Sequence, residues 1–573
     1  MPPEIIPSPL PAPRYRKRKR RRLFFPLIFI FLILLLLAAA TYFFPGLLKA
    51  PPYKSTALVI GNEFIGEALV RVEEREILIH IQTLKEHLDP HFFWDDAEKT
   101  AVITTADRVI HMQTDNLTAE VNLRPVELQF PLREIEGDLF LPLLFLSDFY
   151  GLKATHFPET DTVVIDRYDD RATLAVVKAG SVRLRTGPGL RYPYRARLNR
   201  GEKLRLEMPA AGRWALARTG TGITGYVPLN ALELKGPYPT PEPPPQTTPA
   251  KQPQLPQQPV IMTWEYTYPN PDVNTIGAMP PLKVISPTWF HLRDGEGNLR
   301  NLADPAYAKW ARERGYYIWA LVSNDFNPDL TARVLSSSAL RRKVIDQLLI
   351  YARLYGLDGL NLDFENFHYS IGDLYTQFVR EMAPLCREAG LVLSVDVTMI
   401  SMEPYWSRGY DRGALAEAAD YVVLMAYDEH WEGCPEPGSV ASLPWVERGL
   451  QKVLKEVPPE KLILGVPFYT RIFQVENRAG GDKQVSSRSY GMERAEEIIT
   501  GKDYTLEWDS RARQHVARYS EGESTYQLWL EDSASMQQRL ELVKRYNLAG
   551  VAGWRRGLEK AETWELFEEI LFD

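Results

Sequence analysis

Residues 356–367 read Gly-Leu-Asp-Gly-Leu-Asn-Leu-Asp-Phe-Glu-Asn-Phe. From Leu360 to Glu365 apolar and polar residues alternate, and a period of two predicts a strand. Asn361, Asp363 and Glu365 then share one face at steps of about 6.6 Å, while Leu360, Leu362 and Phe364 take the other. A half-buried strand that points two carboxyls the same way places like charges at a cost, unless one of them stays protonated as an acid. The alternative is a solvated edge strand whose acids pair with Lys or Arg.

The rest of the chain favours a buried strand. From Val260 to Asp573, short apolar runs alternate with longer amphipathic ones. The runs are 260–264, 283–290, 316–322, 359–364, 392–399, 421–427, 462–467 and 550–554. Helical patterns lie between them, as at 340–355 and at 374–389, where Pro384 predicts a kink or an early end. Eight strands covered on both faces and alternating with helices predict an α/β fold, a (β/α)8 TIM barrel. The excess at 469–548 predicts a small insertion beside it.

Active sites of such barrels sit at the carboxyl ends of the strands. The residues there are Asp363 and Glu365, Met425, Tyr427 and Asp428, Trp289, Asn324, Tyr469 and Trp554. Carboxyls, a tyrosine hydroxyl and aromatic planes at one mouth suit acid catalysis on a sugar polymer. Trp289 and Tyr469 serve equally well as core aromatics, Trp264 and Trp319 as barrel filling, and Asp358 as a structural hydrogen-bonder. Strand-end histidines are missing apart from the neighbourhood of His430, and no Gly-rich loop precedes a helix. No metal and no cofactor is expected.

These motifs resemble glycoside hydrolase family 18. Asp358-Gly-Leu-Asn361-Leu-Asp363-Phe-Glu365 is similar to the family's D-G-x-D-x-D-x-E signature, Met425-Ala-Tyr427-Asp428 to its M-x-Y-D motif, and Trp554 to its strand-eight tryptophan. The likeness is to the bacterial spore and cell-wall branch. It implies a retaining, substrate-assisted hydrolase of N-acetylglucosamine-containing glycans, peptidoglycan or chitin-like. By the resemblance Glu365 is the general acid, Asp363 orients the substrate acetamide, and Tyr427 hydrogen-bonds the acetamide oxygen. Asp428 contacts the sugar or Asp363, Trp554 forms the floor, and Asn361, Met425, Trp289, Tyr469 and Asn324 complete the substrate set. The chain departs from the pattern at Asn361, where many members have Asp. An amide can hydrogen-bond Asp363 but cannot share its proton, so Asp363 is expected to stay ionised. Retention of Glu365 argues against the alternative, a non-catalytic glycan-binding scaffold.

The N-terminal part reads as several further segments. Eight of the nine residues 14–22 are Lys or Arg, and 1–22 form a basic tail. Residues 23–44 carry no charge over 22 positions, enough for a membrane-spanning helix with the tail on the cytoplasmic side. A cleaved signal peptide ending near Ala38-Ala39-Ala40 is the alternative; either way the rest is extracytoplasmic. In 55–168 the pairs Leu78 and Leu141, Trp94 and Phe157, and Val102 and Ile165 are each 63 apart. The spacing predicts two halves of strand, short helix, strand and strand, a pattern similar to the copper amine oxidase N-terminal-like domain, without copper ligands. Residues 171–235 form an all-β unit. Its Val182-Arg-Leu-Arg-Thr-Gly-Pro-Gly189 start and Gly225-Tyr-Val227 end resemble a bacterial SH3-type domain, which implies wall binding or else a merely filled small barrel. Residues 236–259, rich in Pro, Gln and Thr, predict a semi-rigid spacer before the barrel at 260–573.

With 573 residues, 45% apolar and 25% charged, several globular domains are expected. Net charge is −7 despite the basic tail, so the chain beyond residue 22 is acidic and nucleic acid is not an expected partner. Cys386 and Cys434 fit no disulfide framework and are expected as free thiols.

Overall fold

The computed structural model describes residues 28–35, 45–208, 212–240, 253–477 and 483–572. The basic tail, most of the apolar run 23–44 and residues 241–252 of the proline-rich segment lie outside them. Within the apolar run, residues 28–35 are helical with every side chain exposed. Among the described residues no helix is long and apolar enough to cross a membrane.

The chain divides into two compact units. One holds residues up to His80 together with Phe140–Pro244; the other holds Ile81–Leu139 together with Pro245–Asp573. In the first unit, strands Leu152–Phe157, Thr162–Arg167, Ala57–Ile60 and Glu63–Glu67 make one sheet. Seven further strands between Thr173 and Pro237 make an all-β sheet around Val182, Leu184, Leu204, Leu206, Ala217 and Val227.

In the second unit all eight expected runs are strands: β1 (Val260–Glu265), β2 (Val284–Pro287), β3 (Tyr317–Ser323), β4 (Gly359–Asp363), β5 (Val392–Thr398), β6 (Tyr421–Met425), β7 (Leu462–Pro467) and β8 (Gly550–Trp554). Each pairs in parallel with its neighbours, and β8 pairs with both β7 and β1, so the barrel is closed. Inward-facing Met262, Trp264, Trp319, Leu321 and Tyr421 fill its interior. Outward-facing Leu360, Leu362 and Phe364 join the larger core under the helices. Two helices position the site, α1 (Ser338–Tyr355) and α2 (Gly372–Ala389). Gly356, at φ 62°, ends α1 in the left-handed conformation that glycine accepts freely and turns the chain toward β4. The insertion is real: five antiparallel strands between Tyr469 and Trp529 with one helix, Met492–Thr500.

One expectation needs correction. Pro384 neither ends nor breaks α2, which runs on to Gly390. The proline is buried in the last turns, where packing outweighs one lost backbone hydrogen bond. The repeat at 55–168 has the expected strand–helix–strand–strand order in both halves. Its middle, an antiparallel meander from Phe93 to Glu127, belongs to the barrel's unit. Asp95 accepts from the Ser338 N–H at the start of α1 (2.8 Å), and Glu98 from the Ser337 hydroxyl (2.9 Å). Arg342 pairs with Glu120, and Asn122 and Arg124 both reach Glu388 on α2. A carboxylate at a helix N-terminus is a favourable cap, and here a distant stretch of chain supplies it.

Candidate active site

Strand β4 ends at Asp363, two residues earlier than the alternation suggests, so the backbone of Glu365 has no ladder partner. Asn324, just past β3, replaces it. Its Oδ1 accepts from the Glu365 N–H (3.0 Å) and its Nδ2 donates to the Glu365 carbonyl (2.6 Å). The same amide nitrogen donates to the Thr331 hydroxyl (2.8 Å), and Asn324 is fully buried. The Tyr410 hydroxyl donates to the Phe364 carbonyl (2.7 Å). Asn324 was expected among the substrate contacts; it holds Glu365 in place instead. Asp325, Phe326, Asn366 and Asp428, all at strand ends, have φ between 52° and 61°. Left-handed backbone at non-glycine residues is strained and gathers at functional sites.

Glu365 keeps part of its surface open to the mouth, and Asp363 is buried beside it. Burial raises the Glu365 carboxyl well above its ordinary range, and the charges of Asp363, Asp396 and Asp428 add to the effect. The alternation along β4 points to Asp363 as the cause; removal from water comes first. Asp363 itself is pushed up to about 7 by burial. Among the described residues its Oδ1 has no hydrogen-bond partner.

Asn361 does not reach Asp363. Its Oδ1 accepts from the Trp264 indole N–H (3.0 Å) and the Ser286 hydroxyl (3.1 Å). Its Nδ2 donates to the Ser394 hydroxyl (3.0 Å) and to Asp396 Oδ1 (2.7 Å). The reason is geometric: the next same-face residue lies about 6.6 Å along the strand, whereas neighbouring strands are about 4.8 Å away. Fully buried and fully bonded, Asn361 lies beneath the mouth and touches no substrate position. Trp264, expected as filling, is the donor that ties Asn361 to Asp396. Asp396 escapes a reading of the sequence because it sits inside an apolar run, Val392 to Thr398, with no motif around it.

Tyr427 is partly buried, with its ring 6.3 Å from that of Tyr469. The Tyr469 hydroxyl donates to Asp428 Oδ1 (2.5 Å), and Asp428 is exposed. Trp554 packs edge-on against Trp264 (5.6 Å) with part of its surface free. Met425 is almost wholly covered. Trp289 is not where its place in the chain suggests: it is fully buried against Tyr307 and Tyr355, between strands and helices, and faces no groove. The strand breaks at Pro287, which turns the residues beyond it outward. Asp358 accepts from the Ile318 N–H (2.9 Å), the structural role expected of it.

Exposed aromatics in the loops after the strands were not expected. Phe326 and Trp406 face each other at 6.1 Å, and Tyr266, Tyr268, Tyr405 and Trp431 are open to solvent. The signal available was position, a few residues beyond a strand end. Among the described residues no group of three His, Cys, Asp or Glu is arranged to hold a metal ion, and His430 bonds the Ser439 carbonyl.

A closed parallel barrel with a proton-holding carboxyl at its carboxyl-end mouth is one part of the identification. The other is a family model, Glycosyl hydrolases family 18, which matches residues 317–559. Over residues 317–559 the barrel is similar to the glycosyl hydrolases of family 18. A second model, Copper amine oxidase N-terminal domain, matches residues 59–165. The cortical fragment-lytic enzyme of Bacillus subtilis is 27% identical over 253 residues, 44% of this chain and 58% of that protein. The enzyme of the same name from Bacillus anthracis is 26% identical over 308 residues, 52% of this chain and 70% of that protein. The chain spans little more than half the length of the first curated relatives it matches. Among solved structures, the Bacillus cereus spore cortex-lytic enzyme SleL superposes with a TM-score of 0.50 at 21% identity, over 61% of this chain and 77% of that one. That likeness concerns the fold. The matched stretch runs from β3 to the loop after β8, so it contains Asp363, Glu365, Tyr427 and Trp554.

Proposed function

We propose that the protein hydrolyses N-acetylglucosamine-containing wall glycan, peptidoglycan before chitin, by a retaining and substrate-assisted route. The observation that carries the reading is Glu365: a carboxyl held by its backbone at the open mouth, raised in pKa and flanked by a second raised carboxyl. A carboxylic acid that keeps its proton near neutral pH is what a glycosidic oxygen needs. Glu365 donates that proton to the leaving oxygen and later takes one from water. Asp363, with one oxygen unpartnered, receives the N–H of the sugar's acetamido group, whose oxygen attacks the anomeric carbon. Tyr427 steadies that oxygen, Asp428 and Tyr469 line the sugar, and Trp554 lies beneath it. The names of the curated relatives support a spore or cell-wall glycan as substrate.

The apolar run 23–44 anchors the protein, with the domains after it outside the cytoplasm and the all-β unit at 171–235 contacting the wall as an SH3-type module. Eight consecutive exposed apolar side chains at 28–35 are consistent with a lipid surface. Digestion of purified peptidoglycan, with fragments weighed by mass, tests the activity. Wild type should release reducing ends, and Glu365→Gln should lose at least about 10²-fold in turnover while still binding wall. A folded wild type that frees no reducing ends from peptidoglycan or chitin oligomers refutes the hydrolase reading in favour of a scaffold. Recovery of the protein in the medium rather than the membrane fraction refutes the anchor.

A further inference from the structure

We propose that Asp396 on β5 is a positioning residue for this reaction: it supplies the second carboxyl that shares one proton with Asp363, the task for which Asn361 on β4 is unfit. The inference rests on the hydrolase reading above, and it is carried by geometry that the sequence motif does not contain.

Three observations support it. First, both oxygens of Asp396 are held as acceptors in a fully enclosed site. Asn361 Nδ2 donates to Oδ1 at 2.7 Å and the Trp264 indole to Oδ2 at 3.2 Å, and Asp396 is 1% exposed. Second, β4 and β5 pair in parallel with Asn361 beside Ser394 and Leu362 beside Val395. Continued one step, that register puts Asp363 beside Asp396 on the inward side, at the strand spacing of about 4.8 Å. Third, Asp363 Oδ1 is buried without a partner among the described residues, so a donor from Asp396 would complete it.

The charged and titratable groups that face this pair are the Glu365 carboxyl and the phenols of Tyr375 and Tyr427, with the Tyr410 phenol beside Asp363. No cation contributes to the shift of either aspartate. Two buried carboxyls side by side without a cation do not both ionise, so the pair keeps one proton and one charge. Burial and then the Asp363 charge raise Asp396 well above the ordinary range, in keeping with this. The exchange is a simple transfer: the Asp396 acid and Asp363 carboxylate become the Asp396 carboxylate and Asp363 acid, with no net loss of a proton. When Glu365 gives up its proton and turns negative, a proton on Asp363 relieves the repulsion between them, and Asp396 is its source. The carboxyl absent at position 361 therefore stands one strand away, joined to Asn361 by a hydrogen bond.

A purely structural role for Asp396 predicts something different. Asp396→Asn keeps the size and at least one of the two hydrogen bonds, so it would lower stability and leave the pH profile alone. As a proton partner, Asp396→Asn should lower kcat/KM about tenfold and shift both limbs of its pH profile toward acid by roughly one unit, because one negative charge is gone. The exchange variant Asn361→Asp with Asp396→Asn returns a carboxyl to the network and keeps the hydrogen bond with its direction reversed. It should stay as impaired as Asp396→Asn, because a carboxyl at position 361 lies about 6.6 Å along the strand from Asp363. A readout without turnover uses the Glu365→Gln background. There, infrared titration should show a buried carboxylic C=O band that ionises near neutral pH, that Asp396→Asn abolishes and that the exchange variant does not restore. Thermal melting confirms that each variant is folded. An unchanged pH profile in Asp396→Asn, or persistence of the infrared band without Asp396, overturns the proposal. Should wild type prove inactive on glycans, the hydrolase reading falls, yet the infrared titration still decides whether the proton is shared.

Discussion

Replacing Asn324 by alanine removes a side chain that no substrate is expected to touch, and it should still disable the site. The carboxamide grips Glu365 at both its N–H (3.0 Å) and its carbonyl (2.6 Å). Without it, two backbone groups on the rim of a buried site lose their partners. Each costs about 1–3 kcal/mol when water cannot reach it. Water reaches part of Glu365, so we expect about 2–4 kcal/mol in total. The larger effect is positional. Glu365 lies beyond the last ladder bond of β4, so it is free to move once released, and a displacement of ~1 Å costs about 10²-fold in rate. The assay pairs thermal melting with initial rates of reducing-end release from peptidoglycan. Asn324→Asp keeps the acceptor for the N–H and loses the donor to the carbonyl, and should fall between wild type and alanine in turnover. If Asn324→Ala melts with wild type and turns over within threefold of it, the clamp does not position the acid.

Asp363 makes one contribution to the pH dependence of stability. Its carboxyl is raised from the ordinary range to about 7 in the folded protein. The folded state therefore holds a proton that the unfolded chain releases near pH 4, and stability falls as pH rises through 7. Asp363→Asn should flatten that decline and raise the melting temperature at pH 8 relative to wild type by roughly 5 °C, with no such gain at pH 4; equal slopes for the two proteins would refute it. At the start of α1, Asp95→Ala should cost about 1–2 kcal/mol by removing a buried acceptor from the helix N-terminus. Hydrogen exchange at residues 338–341 should speed up accordingly, and unchanged protection there would show that the meander merely lies against the helix.

Much of this protein is legible in its order of residues. Alternating short apolar runs and amphipathic stretches predict eight parallel strands, because strands covered on both faces must be apolar throughout, and all eight are present at the predicted places. The polar residues that interrupt those runs at their carboxyl ends, Asp363, Glu365, Tyr427 and Asp428, mark the mouth for the same reason. What the linear pattern cannot express is which strand neighbours reach each other sideways. Along its own strand Asn361 points toward Asp363, whereas the shorter distance is across to β5, where Asp396 waits in an apolar run. The place of Trp289 in the chain assigns it to the groove, and a break at Pro287 sends it into the core. Asn324 has the position of a substrate contact, and the early end of β4 makes it the substitute for a missing strand partner. The docking of residues 93–127 on the barrel helices was likewise invisible, since complementary surfaces separated by more than 200 residues leave no period in either segment. Local periodicity is set by burial of each element alone and can be read from the sequence; hydrogen bonds between side chains on neighbouring strands exist only once closure of the barrel has set their register.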